Sequence, residues 1–429
     1  MNQLFVGEHN TIDELVSKVQ MHNQGCGAKL SQEATKQHGH VLSVVYKCSA
    51  GHTVQWDSSS RMGSQYTVNC QLVLAYLCSG MLPSKFERFC EFGKLGYVSY
   101  NVYKQLVCFI AAAAELHRRQ SIYGALYEEM RLNSDVHKRE ISIETDARHA
   151  CRKNSEHTDV VALGMNSHKV VNHQHITKKD DDTCTQRHEL IGVQRMYNDF
   201  DKLDIKVVDH AHNRNLSVNK HLRENRTETH NSNDRWHAAK SLAAAMKKIS
   251  VGPNKNIGKT WHPELSDKRA SFRNHVYWAM DNCGGDPEKL QFMMDNVVCH
   301  FQNNHQNCDI NAKCRLPGHI PSLKIITDPF AVNLLSSFIK SSVVYKNTND
   351  YVQSRDTYHV ESFNNTCLIY LDKRIHYQNE MYGLRINLAV LDWNEHVGRA
   401  YTSVTCTKQT HIKEGSLGRG HTRRKQTVL

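Results

Sequence analysis

Hydrophobic and polar positions divide the chain into blocks of different periodicity. Residues 66–81 and 97–130 place apolar side chains at mixed spacings of three and four, the pattern of helices that bury one face, with Pro83-Ser84 between them. From 139 to 177 the pattern changes to short β-like pieces, EISIETD, VVALGM and HKVVNHQHI, parted by turn-forming Asn, Ser and Gly. Helical spacing returns at 185–203, where Leu190, Val193, Tyr197, Phe200 and Leu203 share a side. The strand-like IKVVD follows at 205–209, then the amphipathic RWHAAKSLAAAMKKI at 235–249. Three strands, a helix, a strand and a helix form an α/β succession, which predicts a mixed or parallel sheet flanked by helices. Residues 255–350 read as helical or irregular, with β alternation only at 323–327, and helical spacing resumes at 361–371 and 380–391.

Composition narrows the function classes. With 429 residues, 39% hydrophobic and 23% charged, the chain can bury a core and divide into two or three domains. Lys and Arg total 54 against 43 acidic residues, a net charge of +11 that suits a polyanionic partner. The longest apolar run, at 107–116, is interrupted by Glu115 and falls short of the ~20 residues of a membrane span. The first residues lack the charged start and apolar stretch of a secretory signal. No membrane association is expected, and cytosolic or nuclear residence is. The 14 cysteines are scattered without a CxxC pair, which fits reduced thiols rather than a disulfide scaffold.

Three acids stand where chemistry can occur. Asp146 ends EISIETD, Asp209 ends IKVVD, and Glu361 opens the helical ESFNNTCLIYL. Side chains at neighbouring strand ends of an α/β sheet lie at the edge where ligands bind. Hard carboxylates there suit two Mg²⁺ or Mn²⁺ ions, ~3.5–4 Å apart, that hold the attacking and leaving oxygens of a phosphodiester in line. Taken singly, an Asp at a strand end is more often a turn former or helix cap than a ligand.

Four stretches in order carry a resemblance: 146–171 (DARHACRKNSEHTDVVALGMNSHKVV), 206–225 (KVVDHAHNRNLSVNKHLREN), 233–248 (NDRWHAAKSLAAAMKK) and 358–400. Together they resemble transposase-derived proteins of animal genomes related to Kolobok and Mutator-like elements. The resemblance implies an α/β, ribonuclease H-like core with a helical insertion before the last catalytic Glu, and a mainly helical amino-terminal domain. It implies the Asp146, Asp209 and Glu361 triad as metal ligands, with His237 of the D-x-W-H-x-x-K block (Asp234, Trp236, His237, Lys240) near the active site. Read from the helix itself, Asp234 is a cap and Trp236 packs with Ala239, Leu242 and Ala243. The family's usual Gly after the first Asp is Ala147 here, and its separate zinc module before the core is not visible.

The domain reading that follows has a degenerate zinc-ribbon segment at 1–60, a helical domain at 61–138 and a first core part at 139–252. A helical insertion at 253–352 comes next, then the last core part at 353–405 and a basic tail at 406–429. The tail's last 19 residues hold five Lys/Arg and one Glu.

Cysteine and histidine spacing adds two candidate zinc sites. Cys26, Cys48 and His52 form C-x21-C-x3-H, with His38 or His40 as a fourth ligand; the alternative is a buried Cys pair beside a surface His. In the insertion, His300, His305, Cys308, Cys314 and His319 offer four ligands with one to spare. The resemblance also implies a zinc-stabilised insertion.

Basic pairs at Lys247-Lys248 and Lys373-Arg374, together with Lys240, are candidate phosphate contacts. Residues 84–110 read either as a helix-turn-helix or as a helical packing layer. The function so expected is a DDE-type DNA transposase or nuclease, nuclear and homo-oligomeric because two element ends must meet. Its alternative is a domesticated, catalytically inactive DNA- or chromatin-binding protein on the same fold.

Overall fold

The computed structural model describes residues 4–133, 138–151 and 155–398; the basic tail expected at 406–429 lies outside the described residues. The chain opens with α1 (His9–Gly25) and an antiparallel sheet of β1 (Ser31–His38), β2 (Val41–Lys47) and β3 (Thr53–Asp57). Sequence periodicity does not predict this sheet, because β1 (SQEATKQH) is exposed along most of its length and has no apolar face. A short hairpin, β4 (Arg61–Met62) and β5 (Gln65–Tyr66), leads into α2 (Thr67–Cys78), α3 (Pro83–Phe92) and the 34-residue α4 (Tyr100–Asn133).

The central sheet contains β6 (Glu140–His149), β7 (His157–Gly164), β8 (Val170–Thr177), β9 (Lys206–His212) and β10 (His230–Asn233), in the order β10-β9-β6-β7-β8. The first three strands are antiparallel neighbours, while β9 and β10 run parallel to β6. The sheet is therefore mixed, as the α/β succession predicts. Strand β10, HNSN, carries no apolar residue and so gives no periodic signal.

Helices cover both faces. On one, Ile141, Ile143, Val160 and Ala162 meet Val193, Met196 and Phe200 of α5 (His188–Lys202) and Val218 and Leu222 of α6 (Leu216–Asn225). Gly192 lets α5 lie close to β7, since a Cβ there would stand 2.4 Å from Val160. On the other face, Val161, Leu163 and Val170 pack in one cluster with α2, α3 and α4. The same cluster takes in Val360, Phe363 and Cys367 of α12 (Tyr358–Tyr370) and much of α13 (Asn379–His396). Helices α2 to α4 are thus part of the same core rather than a separate domain. Residues 84–110 form α3 and the start of α4, and Phe86, Cys90, Leu106 and Ile110 bury into this cluster, so they build a packing layer.

Between β10 and α12 lies a helical insertion: α7 (Arg235–Ser250), α8 (Arg269–Asn282), α9 (Pro287–Phe301), α10 (Pro329–Ser341) and α11 (Val343–Lys346). Its starts are written in the sequence: Asp286-Pro287 and Asp328-Pro329 each put a capping Asp before Pro at the first helical position. Helix α7 belongs to this bundle, since Ala238, Ala239, Leu242 and Met246 pack with Phe272, Val276 and Leu290. No strand forms at 323–327. No helix among the described residues is long and apolar enough to cross a membrane.

Candidate functional site

Asp146 sits within β6, which continues to His149, and Asp209 within β9, which continues to His212. Both strands pass the Asp that seemed to end them because the residues beyond still satisfy themselves in the sheet. His210 bonds Thr145 and the Tyr197 hydroxyl, and His212 bonds Asn231. This extension decides the site. In the parallel pairing of β6 and β9, Asp209 lies opposite Ser142, and His212 lies opposite Thr145. Ser142 and Asp146 are four positions apart, about 13 Å along a strand. The expected triad is not brought together: Asp209 stands well back from Asp146.

The position beside Asp146 belongs to Asn213, whose side-chain amide donates to an Asp146 carboxylate oxygen at 3.1 Å. The Asn364 amide of α12 donates to the other oxygen at 2.8 Å. Burial pushes the Asp146 carboxyl up to about 6; these amides oppose the rise and neighbouring Glu361 adds to it. Just after Asn213 the chain turns sharply, with Arg214 in the left-handed region at φ 42, a conformation non-glycine residues rarely adopt. The turn lets Asn215 cap α6 through Ser217 and Val218, while its amide reaches Glu189 at 2.8 Å. Burial raises Glu189 to about 7.

A polar chain links these groups to the last acid. The Thr357 amide donates to Asp234 at 2.8 Å, and the one Thr357 hydroxyl proton is shared between the Asn213 amide oxygen at 2.9 Å and Asp234 at 2.8 Å. Asp234 also caps α7 by accepting from the His237 amide, as its sequence position predicts. The His237 ring contacts a Glu361 oxygen at 3.0 Å. So His237 and Glu361 do meet, and the Glu361 charge acts on Asp146. Asp209, by contrast, is buried and engaged elsewhere: the Arg355 guanidinium donates to it at 2.6 Å and the Ser232 hydroxyl at 2.7 Å. Against burial, which would raise it, contacts from His230, Ser232 and Arg355 hold its carboxyl low.

The residues present do not fit a pair of magnesium or manganese ions held by Asp146, Asp209 and Glu361. One of the three acids is remote and paired with an arginine, and its expected place is taken by an amide, which carries no charge.

Beside this cluster runs a basic, aromatic stripe. Trp236 is 45% exposed rather than part of the core, because it points away from the packed face of α7, and the Lys240 ammonium sits 4.2 Å from its ring centre. Lys247 and Lys248 continue the exposed side of α7. Lys373 and Arg374 are exposed in the turn between α12 and α13, apart from this stripe in sequence. A cleft of about 250 Å³ between α6, β10 and the insertion adds Arg214, Lys220 and Arg223, which sequence reading did not single out.

Among the described residues, two groups of four Cys and His side chains have ligand atoms all within 4.8 Å of one another, and each can hold a metal ion such as zinc. In the insertion they are His300, His305, Cys308 and Cys314; the Cys308 sulfur lies 3.5 Å from His300 and 3.7 Å from His305. His319 stands next to this set, its ring 5.5 Å from that of His305, but is not one of the four. The other group is Cys26, Cys48, His52 and His22, not His38 or His40. His38 lies against Tyr66 and His40 is buried against Phe86. The missed ligand had a signal, since His22 precedes Cys26 by one helical turn. No family model matches the chain, and a search of curated proteins finds no match.

Proposed function

We propose that this chain is a transposase-derived, nuclear DNA-binding protein on a ribonuclease H-like core that binds DNA without cutting it. The observation that carries this reading is the amide of Asn213 on Asp146, where a two-metal phosphodiester reaction needs a second carboxylate. The sheet order, with its antiparallel first three strands and two parallel ones, supports the ribonuclease H-like part. The exposed Trp236 and the Lys240, Lys247 and Lys248 stripe support nucleic acid as the ligand, since aromatic stacking and phosphate neutralisation both act without base reading. The net charge of +11 acts in the same direction.

Binding by fluorescence anisotropy to a labelled duplex tests this. Micromolar or tighter affinity that falls steeply with salt and does not require Mg²⁺ is expected. Absence of binding at low salt would overturn it.

One observation favours the enzyme reading as a second choice. The half-buried Asp146, raised to about 6 with the Glu361 charge adding to the rise and joined through Asn213, Thr357 and Asp234 to His237, keeps two acids on one polar network at the sheet edge. On that reading the protein is a metal-dependent DNA nuclease or transposase working as a homo-oligomer. Cleavage that Asp146→Asn abolishes would support it over the first.

A further inference from the structure

The amino-terminal 60 residues pose a packing problem that their hydrophobic groups do not solve. Val41 clusters with Tyr66 and Val68 of the following segment, with Val6 and Leu72 packed against them, and Val44, Val54 and Trp56 are the other large apolar side chains this segment buries. Helix α1 buries one residue, Thr11, and leaves Ile12, Val16 and Met21 exposed. Its polar ties to the sheet are the Trp56 indole on the Thr11 carbonyl and the Lys18 ammonium on the Gln55 carbonyl, at 2.6 and 3.0 Å. Segments this short with so little core are ordinarily held by a disulfide or a metal.

A disulfide is not present: the Cys26 and Cys48 sulfurs are 3.9 Å apart against the ~2.05 Å of a covalent bond. That spacing matches another bonding mode. Two thiolates on one tetrahedral zinc, each at ~2.3 Å, stand ~3.8 Å apart, and a thiolate and an imidazole nitrogen ~3.6 Å apart. The observed separations are 3.9 Å between the sulfurs and 3.7 Å from the Cys48 sulfur to His52 Nδ1. A second observation points to a ligand at this place. Both ring nitrogens of His22 are shielded from solvent, and the polar side chain within reach is the Cys48 thiol, a weak partner, although an imidazole donor and acceptor so placed cost free energy unless something binds them. Backbone geometry prepares the other half: the Cys48 amide donates to His52 and the Gly51 amide to Cys48, closing a tight turn between β2 and β3 that brings Cys48 and His52 to one side.

We propose that His22, Cys26, Cys48 and His52 bind one zinc ion that staples α1 to the β2–β3 turn. The helix supplies one pair of ligands, one turn apart, and the hairpin supplies the other. Two thiolates and two imidazoles leave a site of zero net charge and no open position, so the ion is structural and not hydrolytic. The ion replaces the apolar contacts that α1 lacks, and its binding free energy becomes stability of this segment. The site is separate from the acid cluster and does not depend on how the protein uses DNA.

The test uses the full chain in a C308S/C314S background, so that the insertion group does not contribute. Metal analysis should find one zinc per chain, and none when C26S and C48S are added. Cobalt substituted for zinc should give the intense visible bands and thiolate charge-transfer absorption of a tetrahedral two-sulfur site, weakened by H22A. Because the cysteine variants can misfold, hydrogen exchange of the wild-type chain supplies a second readout. Stripping the metal with a strong chelator should raise exchange at residues 9–25 and 48–53 at least tenfold while the central sheet stays protected. No zinc in the C308S/C314S chain, or unchanged exchange at 9–25 after stripping, would overturn the proposal.

Discussion

The Asn213 side-chain amide donates to Asp146 across the edge between β9 and β6, while Asp209, the acid expected there, pairs with Arg355 instead. The register of two strands produces this exchange. Asp209 lies opposite Ser142, so the residue four places further on comes level with Asp146. An amide can orient a carboxylate but cannot offset the charge of a divalent ion, which takes ionised oxygens as ligands. Asn213→Asp should therefore create divalent affinity. Calorimetric titration with Mn²⁺ should give a dissociation constant at least tenfold tighter for the variant than for the wild type, and equal constants would contradict the assignment of this position.

Contacts along α7 predict how DNA affinity responds to substitution. Lys240→Ala, Lys247→Ala and Lys248→Ala should each weaken binding similarly for unrelated duplexes and lower the slope of log affinity against log salt by about 1. Trp236→Ala should weaken binding to single strands by about 1–3 kcal/mol, the range for a stacked base. Anisotropy titrations across a salt series measure both. An unchanged salt slope in all three lysine variants would remove α7 from the interface.

Glu144 gives a pH prediction. It is buried on β6 beneath the start of α12, one oxygen without a partner, and burial pushes its carboxyl up to about 8. An acid whose folded value exceeds its unfolded value of 4.5 binds more protons folded than unfolded between the two. Stability from this group is therefore greatest at low pH and falls as pH rises from 4.5 to about 8, levelling above that. Glu144→Gln should remove this slope, so that the variant gains on the wild type as pH rises through that window. Thermal melts at pH 5, 7 and 8.5 test it; parallel curves for the two proteins would refute it.

The buried charge network on β7 and β8 predicts a large loss of stability. Asp159 is fully buried and accepts from His173 and His175 at 3.1 Å each and from the Tyr382 hydroxyl, with Arg148 at 3.6 Å. Burial alone would raise its carboxyl, but the two histidine contacts hold it well below the usual range. Removing the charge from one partner strands the other in the interior, and Asp159→Asn should cost about 3–5 kcal/mol in denaturant unfolding. A loss below ~1 kcal/mol would show the network to be hydrated.

Much of this fold was legible in the chain. Strands β6 to β9 and helices α5 and α7 announce themselves by apolar periodicity, and α9 and α10 by Asp-Pro starts. What stayed hidden has physical reasons. Strand β10 (HNSN) and strand β1 have no apolar face, so period-two reading finds nothing. Asp209 looks like a strand end because Asp favours turns, yet β9 continues through His210 and His212, whose rings are satisfied by Thr145, Tyr197 and Asn231 side chains and by the Asn215 backbone amide. That continuation moves the site from Asp209 to Asn213. The His237–Glu361 contact joins two residues that the sequence had placed at one site, whereas the Asn364, Thr357 and Asn215 contacts join residues far apart in sequence. Trp236 looked like core by spacing and turned out exposed, since its neighbours Ala238 and Ala239 set the buried side of α7.

The most direct test of the account is a comparison of DNA binding and DNA cleavage on one preparation, with the wild type, Asp146→Asn and Asn213→Asp assayed in Mg²⁺ and in Mn²⁺ on radiolabelled duplex. The account predicts salt-sensitive binding by the wild type with cleavage no faster than that of Asp146→Asn in either metal. Wild-type cleavage at least a hundredfold above Asp146→Asn would contradict it and restore the metal-dependent nuclease.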